Sequence, residues 1–164
     1  MSWLTAEELE WIVKRTAPPL VQQAFCGVYP HNRIPPSILT PIPPTPFTTM
    51  IINTDSHNLP GRHWTSVYID KERNDGELFD PLVTPPSAHV VRFLAQHCRK
   101  WSRNYLIYQH PLSTYCGVYV LLHVLHRYEY DSLDKFCSAN FTSSPSTNEQ
   151  LIRAYYLQQL LPYF

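Results

Sequence analysis

One segment of the chain is apolar on every side of a predicted helix. Its apolar positions are Val118, Val120, Leu121, Leu122, Val124 and Leu125. A helix over residues 115–128 without a polar side is expected in the centre of the fold, and fully burying each of these side chains stabilises the protein by roughly 1.5–3 kcal/mol. The segment before this helix is polar and turn-prone, so Cys116 and Gly117 stand where the chain passes from the surface into the core.

The remaining hydrophobic periodicity predicts an α+β fold. The predicted strands cover residues 48–53, 63–69, 77–80 and 104–109, with Asp75-Gly76 as the hairpin turn between the second and third. Helices are predicted from a capping box at 5–8 to Pro18-Pro19, over 88–101 behind the N-cap Ser87, over 132–137, and from a capping box at 146–149 to near Pro162. Residues 30–46 hold seven prolines and are predicted as an extended loop.

Composition and charge narrow the functional classes. With 164 residues, 44% of them hydrophobic and 16% charged, the chain is expected to form one globular domain over residues 1–164. Lys and Arg number 13, as do Asp and Glu, so no excess of basic charge indicates nucleic acid binding. The charged N-terminal segment does not resemble an export signal, and no apolar run suits a membrane span, so a protein that is neither secreted nor membrane-bound is expected. The four cysteines lack CxxC spacing, which predicts free thiols and neither a metal nor an organic cofactor.

Cys116 has two interpretations. Free cysteine is among the most buried residue types, so Cys116 is a candidate core residue. It also stands at a helix N-terminus, where backbone N–H groups and the helix dipole favour a thiolate, and Gly117 lets the backbone pass close to a ligand. These features make Cys116 a candidate nucleophile. A tyrosine-phosphatase loop is excluded, because the residue six positions further on is Leu122 and not arginine.

Acyl transfer by a thiolate needs a histidine base, a group that orients the histidine, and an oxyanion hole. His63 leads into the second predicted strand and Asp80 ends the third, so pairing of these strands would bring the two side chains to one sheet edge. Asp80-Pro81 is also an ordinary turn signal. Gln109 can donate its amide to a developing oxyanion together with the backbone N–H of Cys116, although a glutamine at a strand end is no evidence by itself.

The four candidates stand in the order histidine, aspartate, glutamine, cysteine, with the aspartate seventeen positions after the histidine and the cysteine seven positions after the glutamine. This order and spacing resemble the adenovirus proteinase (adenain) family and, more distantly, the Ulp-type proteases that cleave ubiquitin-like proteins. The resemblance covers most of the chain and is weakest in the proline-rich segment. Further similar segments are Ile51-Ile52-Asn53-Thr54, Gly61-Arg62-His63-Trp64, Pro162-Tyr163-Phe164 and Leu78-Phe79-Asp80-Pro81, the last with aspartate in place of the usual glutamate.

The resemblance implies an adenain- or Ulp-like cysteine protease fold, in which a small mixed sheet packs against helices and a central buried helix carries the nucleophile at its N-terminus. It implies Cys116 as nucleophile and His63 as base. Asp80 would orient the imidazole, and Gln109 would stabilise the oxyanion. The cleft residues would be Trp64, which favours small residues such as glycine beside the scissile bond, and Gly117, whose small size leaves room for the substrate.

The implied function is a cysteine endopeptidase that cleaves viral capsid and core precursors during virion maturation, in the virion and the host nucleus. Two alternatives stay open. One is a protease that processes or deconjugates a ubiquitin-like protein, and the other is a binding module that kept the fold and lost catalysis. The short chain and its Pro162-Tyr163-Phe164 end favour the first function over deconjugation. The intact set of four candidate residues argues against the binding module.

The resemblance also implies two activators. The adenovirus enzyme is activated by a short viral peptide through a disulfide to a cysteine upstream of the nucleophile, and Cys98 stands at the matching distance from Cys116. Cys98 is therefore expected on the surface of the helix predicted over 88–101, with chance placement as the alternative. The adenovirus enzyme also uses DNA as a cofactor through a basic surface, and the balanced charge of this chain argues against DNA stimulation.

Overall fold

The computed structural model describes residues 4–35, 45–55 and 63–164. Within these ranges one sheet holds five strands in sequence order across the sheet. The two outer pairs of strands are parallel, and the two inner pairs are antiparallel. The strands are β1 (Phe25–Pro30), β2 (Phe47–Asn53), β3 (Trp64–Asp70), β4 (Asp75–Phe79) and β5 (Lys100–Arg103).

Helices pack against this sheet, which confirms the predicted α+β architecture with a small mixed sheet. None of the helices in the described ranges is long and apolar enough to cross a bilayer. The α-helices are α1 (Ala6–Thr16), α2 (Pro19–Ala24), α3 (Ala88–His97), α4 (Cys116–His126), α5 (Leu133–Asn140) and α6 (Pro145–Tyr155), and α6 continues into a π-helical turn (Tyr156–Leu160) and a 3₁₀ turn (Leu161–Tyr163).

Local capping explains where several helices begin. The predicted capping box of α1 is present, because the Thr5 side chain accepts from the backbone of Glu8 and the Glu8 side chain accepts from the backbone of Thr5. Ser87 caps α3 as predicted. The last helix begins two residues earlier than predicted, with Ser144 as N-cap and Pro145 in its first turn, where the missing N–H of proline is harmless.

The hairpin turn between β3 and β4 also lies earlier than predicted. Asp75 and Gly76 are the first residues of β4, and the turn ends at Asn74, whose φ of 55° is left-handed. Asparagine tolerates this conformation because its short polar side chain bonds locally. Gly76 serves packing instead, since a Cβ there would lie 2.5 Å from Sγ of Cys98.

Two predicted elements between residues 88 and 109 are wrong. The helix predicted over 88–101 stops at His97, and the following residues form β5. The strand predicted over 104–109 does not form. Tyr105, Leu106 and Ile107 are 79%, 57% and 50% exposed, and only Tyr108 among its apolar residues is buried, so the segment does not have the alternately buried side chains of a strand. Strand β1 and helix α2 were not predicted, because each has only six residues and little periodicity.

Helix α4 lies in the centre, as predicted. Every residue from Cys116 to Leu125 is buried, including His123. The helix packs on the sheet at β3, and α1 packs against its N-terminal end. This packing carries the first residue of α4 to the edge at which β3 begins and β4 ends.

A substitution at Gly76 tests the contact between β4 and the end of α3. We expect Gly76→Ala to lower the free energy of unfolding by about 1–3 kcal/mol, the usual cost of overpacking, because the new methyl group would overlap Sγ of Cys98. The measurement is urea unfolding of the parent, Gly76→Ala, Cys98→Ala and the double variant. The loss should be much smaller in the Cys98→Ala background. Equal losses in both backgrounds would show that the two residues are not in contact.

Candidate active site

His63 and Asp80 meet at one edge of the sheet. His63 directly precedes β3 and Asp80 directly follows β4, and the register that pairs Ser66 with Phe79 brings these two chain positions together. Nε2 of His63 lies 2.7 Å from Oδ1 of Asp80. The side chains are 12% and 1% exposed, so water screens this pair weakly. The predicted proximity of the two residues is therefore observed.

A tight set of donors surrounds the Asp80 carboxylate. Oδ1 also accepts from the backbone N–H of Leu82 at 2.9 Å, and Oδ2 accepts from the backbone N–H of Thr84 at 2.8 Å and from the Thr84 hydroxyl. The side-chain amide of Asn104 binds the backbone of Asp80 at both groups, accepting from its N–H at 2.9 Å and donating to its carbonyl at 2.7 Å. These contacts leave the carboxylate little freedom to turn away from His63.

The turn that follows Asp80 carries backbone strain. Val83 has a φ of 54°, in the left-handed region that β-branched residues rarely adopt. Its N–H donates to the carbonyl of Asp80 at 3.1 Å. Arg103 approaches the same turn, with Nη1 donating to the Thr84 carbonyl at 3.0 Å and Nη2 lying 3.8 Å from Oδ2 of Asp80. The chain is bent here so that several donors reach one carboxylate.

These contacts keep Asp80 ionised. Burial alone would raise its pKa, but the hydrogen bond and positive charge of His63, together with the hydrogen bonds from Thr84 and Leu82, lower the pKa below its ordinary 3.8. An ionised carboxylate accepts hydrogen bonds only, so Nε2 of His63 must carry the proton that it shares with Asp80. The acid thus fixes both the orientation and the tautomer of the imidazole.

The imidazole of His63 binds its proton more strongly than a free histidine. Burial lowers its pKa, but the hydrogen bonds to Asp80 and Cys116 and the charges of the same two residues outweigh burial and raise the pKa from 6.5 to about 9. The other ring nitrogen, Nδ1, is buried and makes no hydrogen bond of standard geometry with a described residue. The contact with Cys116 is therefore longer or less well aligned than a full hydrogen bond, as is common at catalytic sites without substrate.

Cys116 is the first residue of α4 and has 0% exposure. Its N-cap, Tyr115, provides no side-chain cap for the helix. Backbone N–H groups of a first helical turn lack acceptors within the helix, and the helix dipole favours negative charge there. Cys116 is buried in the core and also interacts with His63, and its role as nucleophile stays a prediction.

Gln109 lies in the loop that leads to Cys116, and not at the end of a strand as predicted. Its backbone N–H donates to the carbonyl of Pro81 at 3.0 Å, next to Asp80. Its side-chain Nε2 donates to the carbonyl of Ser113 at 3.2 Å, and its buried Oε1 has no hydrogen-bond partner among the described residues. Gln109 therefore links the turn at Asp80 with the loop before the nucleophile helix.

The two predicted cleft residues both contact the N-terminal segment. Trp64 is 3% exposed, and its indole N–H donates to the carbonyl of Leu4 at 3.0 Å. A Cβ at Gly117 would lie 3.2 Å from Cβ of Leu4 and 3.4 Å from Cδ2 of Leu9. The small size of Gly117 is therefore needed to admit these two leucines, and its predicted role beside a substrate stays a prediction. The role of Trp64 in shaping a cleft stays a prediction.

Cys98 is not exposed, so its predicted place on a helix surface is wrong. It closes α3 as the C-cap, is 8% exposed and lies against Gly76. Burial, with a smaller contribution from the negative charge of Asp75, raises the pKa of the Cys98 thiol to about 11. A disulfide to an activating peptide stays a prediction, and it would require Sγ to leave this packed position. No group of three or more potential metal-ligating side chains occurs in the described ranges.

Sequence reasoning missed the residues that hold the acid in place. Thr84, Arg103 and Asn104 belong to segments that the hydrophobic pattern left as loop or assigned to the wrong element. Asn104 is 2% exposed, and a buried asparagine needs partners that only the fold reveals. No local signal in the sequence identifies these three residues.

The chain matches one protease family in sequence and several solved proteases in structure. Residues 39–144 match the model of the Ulp1 protease family, C-terminal catalytic domain, whereas no curated protein sequence matches the chain. An ASFV protease structure superposes with a TM-score of 0.65 at 18% identity, covering 93% of this chain and 66% of the other. A second ASFV protease structure gives 0.55 at 20% identity, covering 69% and 43%. The SUMO protease Ulp1 gives 0.54 at 16% identity, covering 94% and 77%.

These structural similarities show the fold, and at 16–20% identity they do not show the function of this chain. The chain spans 66% or less of the length of the two ASFV protease chains that it matches. The resemblance seen in the sequence to Ulp-type cysteine proteases is confirmed by the family model.

Removing the charge of Asp80 tests the electrostatics of the site. We expect Asp80→Asn to lower the pKa of His63 from about 9, since it removes both the negative charge and a carboxylate acceptor. NMR titration of the His63 ring measures this directly. An unchanged curve for His63 would mean that Asp80 does not stabilise the imidazolium.

Proposed function

The chain belongs to the Ulp1 protease family, and we propose that it is a cysteine endopeptidase with Cys116 as nucleophile. His63 is the proposed general base, and Asp80 the residue that orients it. Gln109 and the backbone N–H of Cys116 are the proposed oxyanion donors. The observation that carries this proposal is the 2.7 Å contact between the partly buried His63 and the buried Asp80, beside a cysteine that begins a central helix.

The proposed reaction begins when the Cys116 thiol transfers its proton to His63. The thiolate attacks the carbonyl carbon of the scissile peptide, and the carbonyl electron pair moves onto oxygen to form a tetrahedral oxyanion. The C–N bond then breaks, His63 donates its proton to the leaving amine, and a thioester to Cys116 remains. Water, deprotonated by His63, hydrolyses the thioester and restores the thiol.

The oxyanion would be held by two donors. A glutamine amide carries two N–H bonds, and Gln109 uses one of them toward the Ser113 carbonyl at 3.2 Å. The second N–H can serve the oxyanion. The backbone N–H of Cys116 belongs to the first turn of α4, where the helix dipole also favours negative charge.

The proposed substrates are viral capsid and core precursors, cut beside small residues such as glycine during virion maturation in the virion and host nucleus. Structural similarity to a viral protease supports this choice. Processing of a ubiquitin-like protein is the second candidate, supported by the matched Ulp1 family and by similarity to a SUMO protease. A binding module without catalysis is disfavoured by the pairing of His63 with Asp80 beside Cys116.

The proposal is tested by supplying both kinds of substrate. The purified chain and its Cys116→Ala variant are incubated with a peptide library that carries glycine at its central positions and, separately, with a SUMO precursor. Mass spectrometry then locates the cut sites. Cysteine-dependent cuts beside glycine in the library support an endopeptidase of the viral type, and cuts only at the SUMO tail support the second candidate. Absence of any cut that depends on Cys116 would overturn the proposed activity.

Thiol reactivity provides a test that needs no substrate. We expect limiting iodoacetamide to label Cys116 before the other cysteines, because burial raises the pKa of Cys26 and Cys98 to about 11 and that of Cys137 to about 12. Peptide mapping by mass spectrometry identifies the labelled residue. His63→Ala should slow labelling of Cys116 and leave the others unchanged. Faster labelling of Cys26, which is the cysteine with intermediate exposure, would contradict the assignment.

The role of Gln109 is tested by removing its amide. We expect Gln109→Ala to reduce kcat by about 100- to 1000-fold, the usual effect of losing one oxyanion donor, with little change in KM. Gln22→Ala is a suitable control. Gln22 lies in α2, which holds none of the candidate site residues, and its amide donates to the Ala17 carbonyl at 2.8 Å. Equal kcat for the parent and Gln109→Ala would exclude Gln109 from the oxyanion hole.

A further inference from the structure

A buried polar network joins α4 to the sheet behind the candidate site. The hydroxyl of Ser66 on β3 lies 2.7 Å from Nδ1 of His123 on α4, and Nε2 of His123 lies 3.1 Å from Oε2 of Glu77 on β4. Arg127 donates to both oxygens of Glu77 at 2.7 Å. Ser66 and His123 are 0% exposed, and Glu77 and Arg127 are each 6% exposed. The proposed chemistry uses none of these residues.

The charges of the network fix the direction of its hydrogen bonds. Burial alone would raise the pKa of Glu77, but His123 and Arg127 lower it, so Glu77 is a carboxylate that only accepts. Burial lowers the pKa of His123 despite the Glu77 carboxylate, and the charge of Arg127 lowers it further, so the ring is neutral. Nε2 therefore donates to Glu77, and Nδ1 accepts from Ser66. With one nitrogen as donor and the other as acceptor, the His123 ring can make both hydrogen bonds in one orientation only.

The network contacts the face of α4 that carries Cys116. His123 follows Cys116 by seven residues, which is about two helical turns, so the two side chains share one face of the helix. Ser66 is opposite Phe79 in the sheet, and the His123 ring stacks on Phe79 with centroids 4.9 Å apart. Phe79 directly precedes Asp80. One ring thus contacts the strands that present the base and the acid.

Burial of this network is costly, and apolar residues of similar shape usually stabilise such an interface as well or better. The apolar side chains of α4 bury the helix but tolerate small rotations, whereas directional bonds do not. We propose that Ser66, His123 and Glu77 are positioning residues, which fix the rotation of α4 and thereby hold Cys116 against His63. The inference rests on the proposed function of Cys116 and His63.

The test compares His123→Phe with the parent and with Thr49→Val. Phenylalanine keeps an aromatic ring on Phe79 but cannot bond Ser66 or Glu77. Thr49→Val removes another buried hydroxyl, one that donates to the Val67 carbonyl at 2.9 Å within the sheet. The first readout is the rate at which iodoacetamide labels Cys116 in the folded protein. We expect His123→Phe to slow labelling toward the rate of His63→Ala, and Thr49→Val to leave it unchanged.

The second readout is the pH dependence of kcat/KM. We expect a loss of about 10- to 100-fold in kcat for His123→Phe, the size expected for a misplaced reacting group, with KM little changed. Contact with Cys116 is one cause that raises the pKa of His63 to about 9, so weakening this contact should move the alkaline fall of activity to lower pH. A global loss of stability would not move this limb in the folded protein.

The outcomes distinguish failure of the proposed function from failure of the positioning role. If the parent cleaves nothing, the proposed function fails, but labelling of Cys116 still tests positioning. If folded His123→Phe labels Cys116 at the parent rate, the positioning role is overturned. Should His123→Phe fail to fold, Ser66→Ala removes a single bond of the network and should give a smaller loss in the same direction. If Ser66→Ala then shows the labelling rate and the pH dependence of the parent, the positioning role is overturned.

Discussion

Burial of α4 against β3 and β4 is the interaction on which the candidate site depends. The cysteine comes from a helix, and the histidine and aspartate come from strand ends that are far from it in sequence. Pairing of β3 with β4 brings His63 to Asp80, but only the packing of the helix on the sheet brings Cys116 to His63. A displacement of about 1 Å between reacting groups can cost about 100-fold in rate. The orientation of one helix therefore limits what this site can do.

Two buried carboxylates, Asp80 and Glu77, each contact one histidine and one arginine, yet their histidines differ. Arg127 binds Glu77 through two short hydrogen bonds, so its positive charge already compensates the charge of the carboxylate. Burial therefore keeps His123 neutral. Arg103 stays 3.8 Å from Asp80, and its Nη2 makes no hydrogen bond in the described part of the chain. Asp80 consequently stabilises the proton on His63, whose pKa rises to about 9. Deeper burial and the close arginine together favour the neutral form of His123, whereas Asp80 and Cys116 favour the protonated form of His63.

The sequence predicted those features that follow from strong local patterns. An apolar run without a polar side determined the central helix, and β-branched and aromatic residues determined β2 and β3 to within one residue. The candidate residues came from a combination of types and spacings together with a family resemblance. The exposed Tyr105 and Leu106 were predicted as part of a strand, because the hydrophobic pattern of a sequence does not show whether a side chain is exposed. The packing contacts of Gly76 and Gly117 could not be predicted, because each involves a neighbour distant in sequence, Cys98 or Leu4.

The turn after Asp80 combines a left-handed valine with a buried carboxylate, and this combination is relevant to whether the site is catalytic. A binding module on the same fold would gain nothing from a left-handed valine at position 83 or from a carboxylate with 1% exposure. Strained backbone and buried charge persist where the surrounding structure enforces them, and they occur most often at functional sites. Here the strained turn directs Leu82 and Thr84 at the carboxylate, and the carboxylate orients His63. The arrangement thus holds the imidazole in one orientation beside Cys116, as the proposed proton exchange between His63 and Cys116 requires.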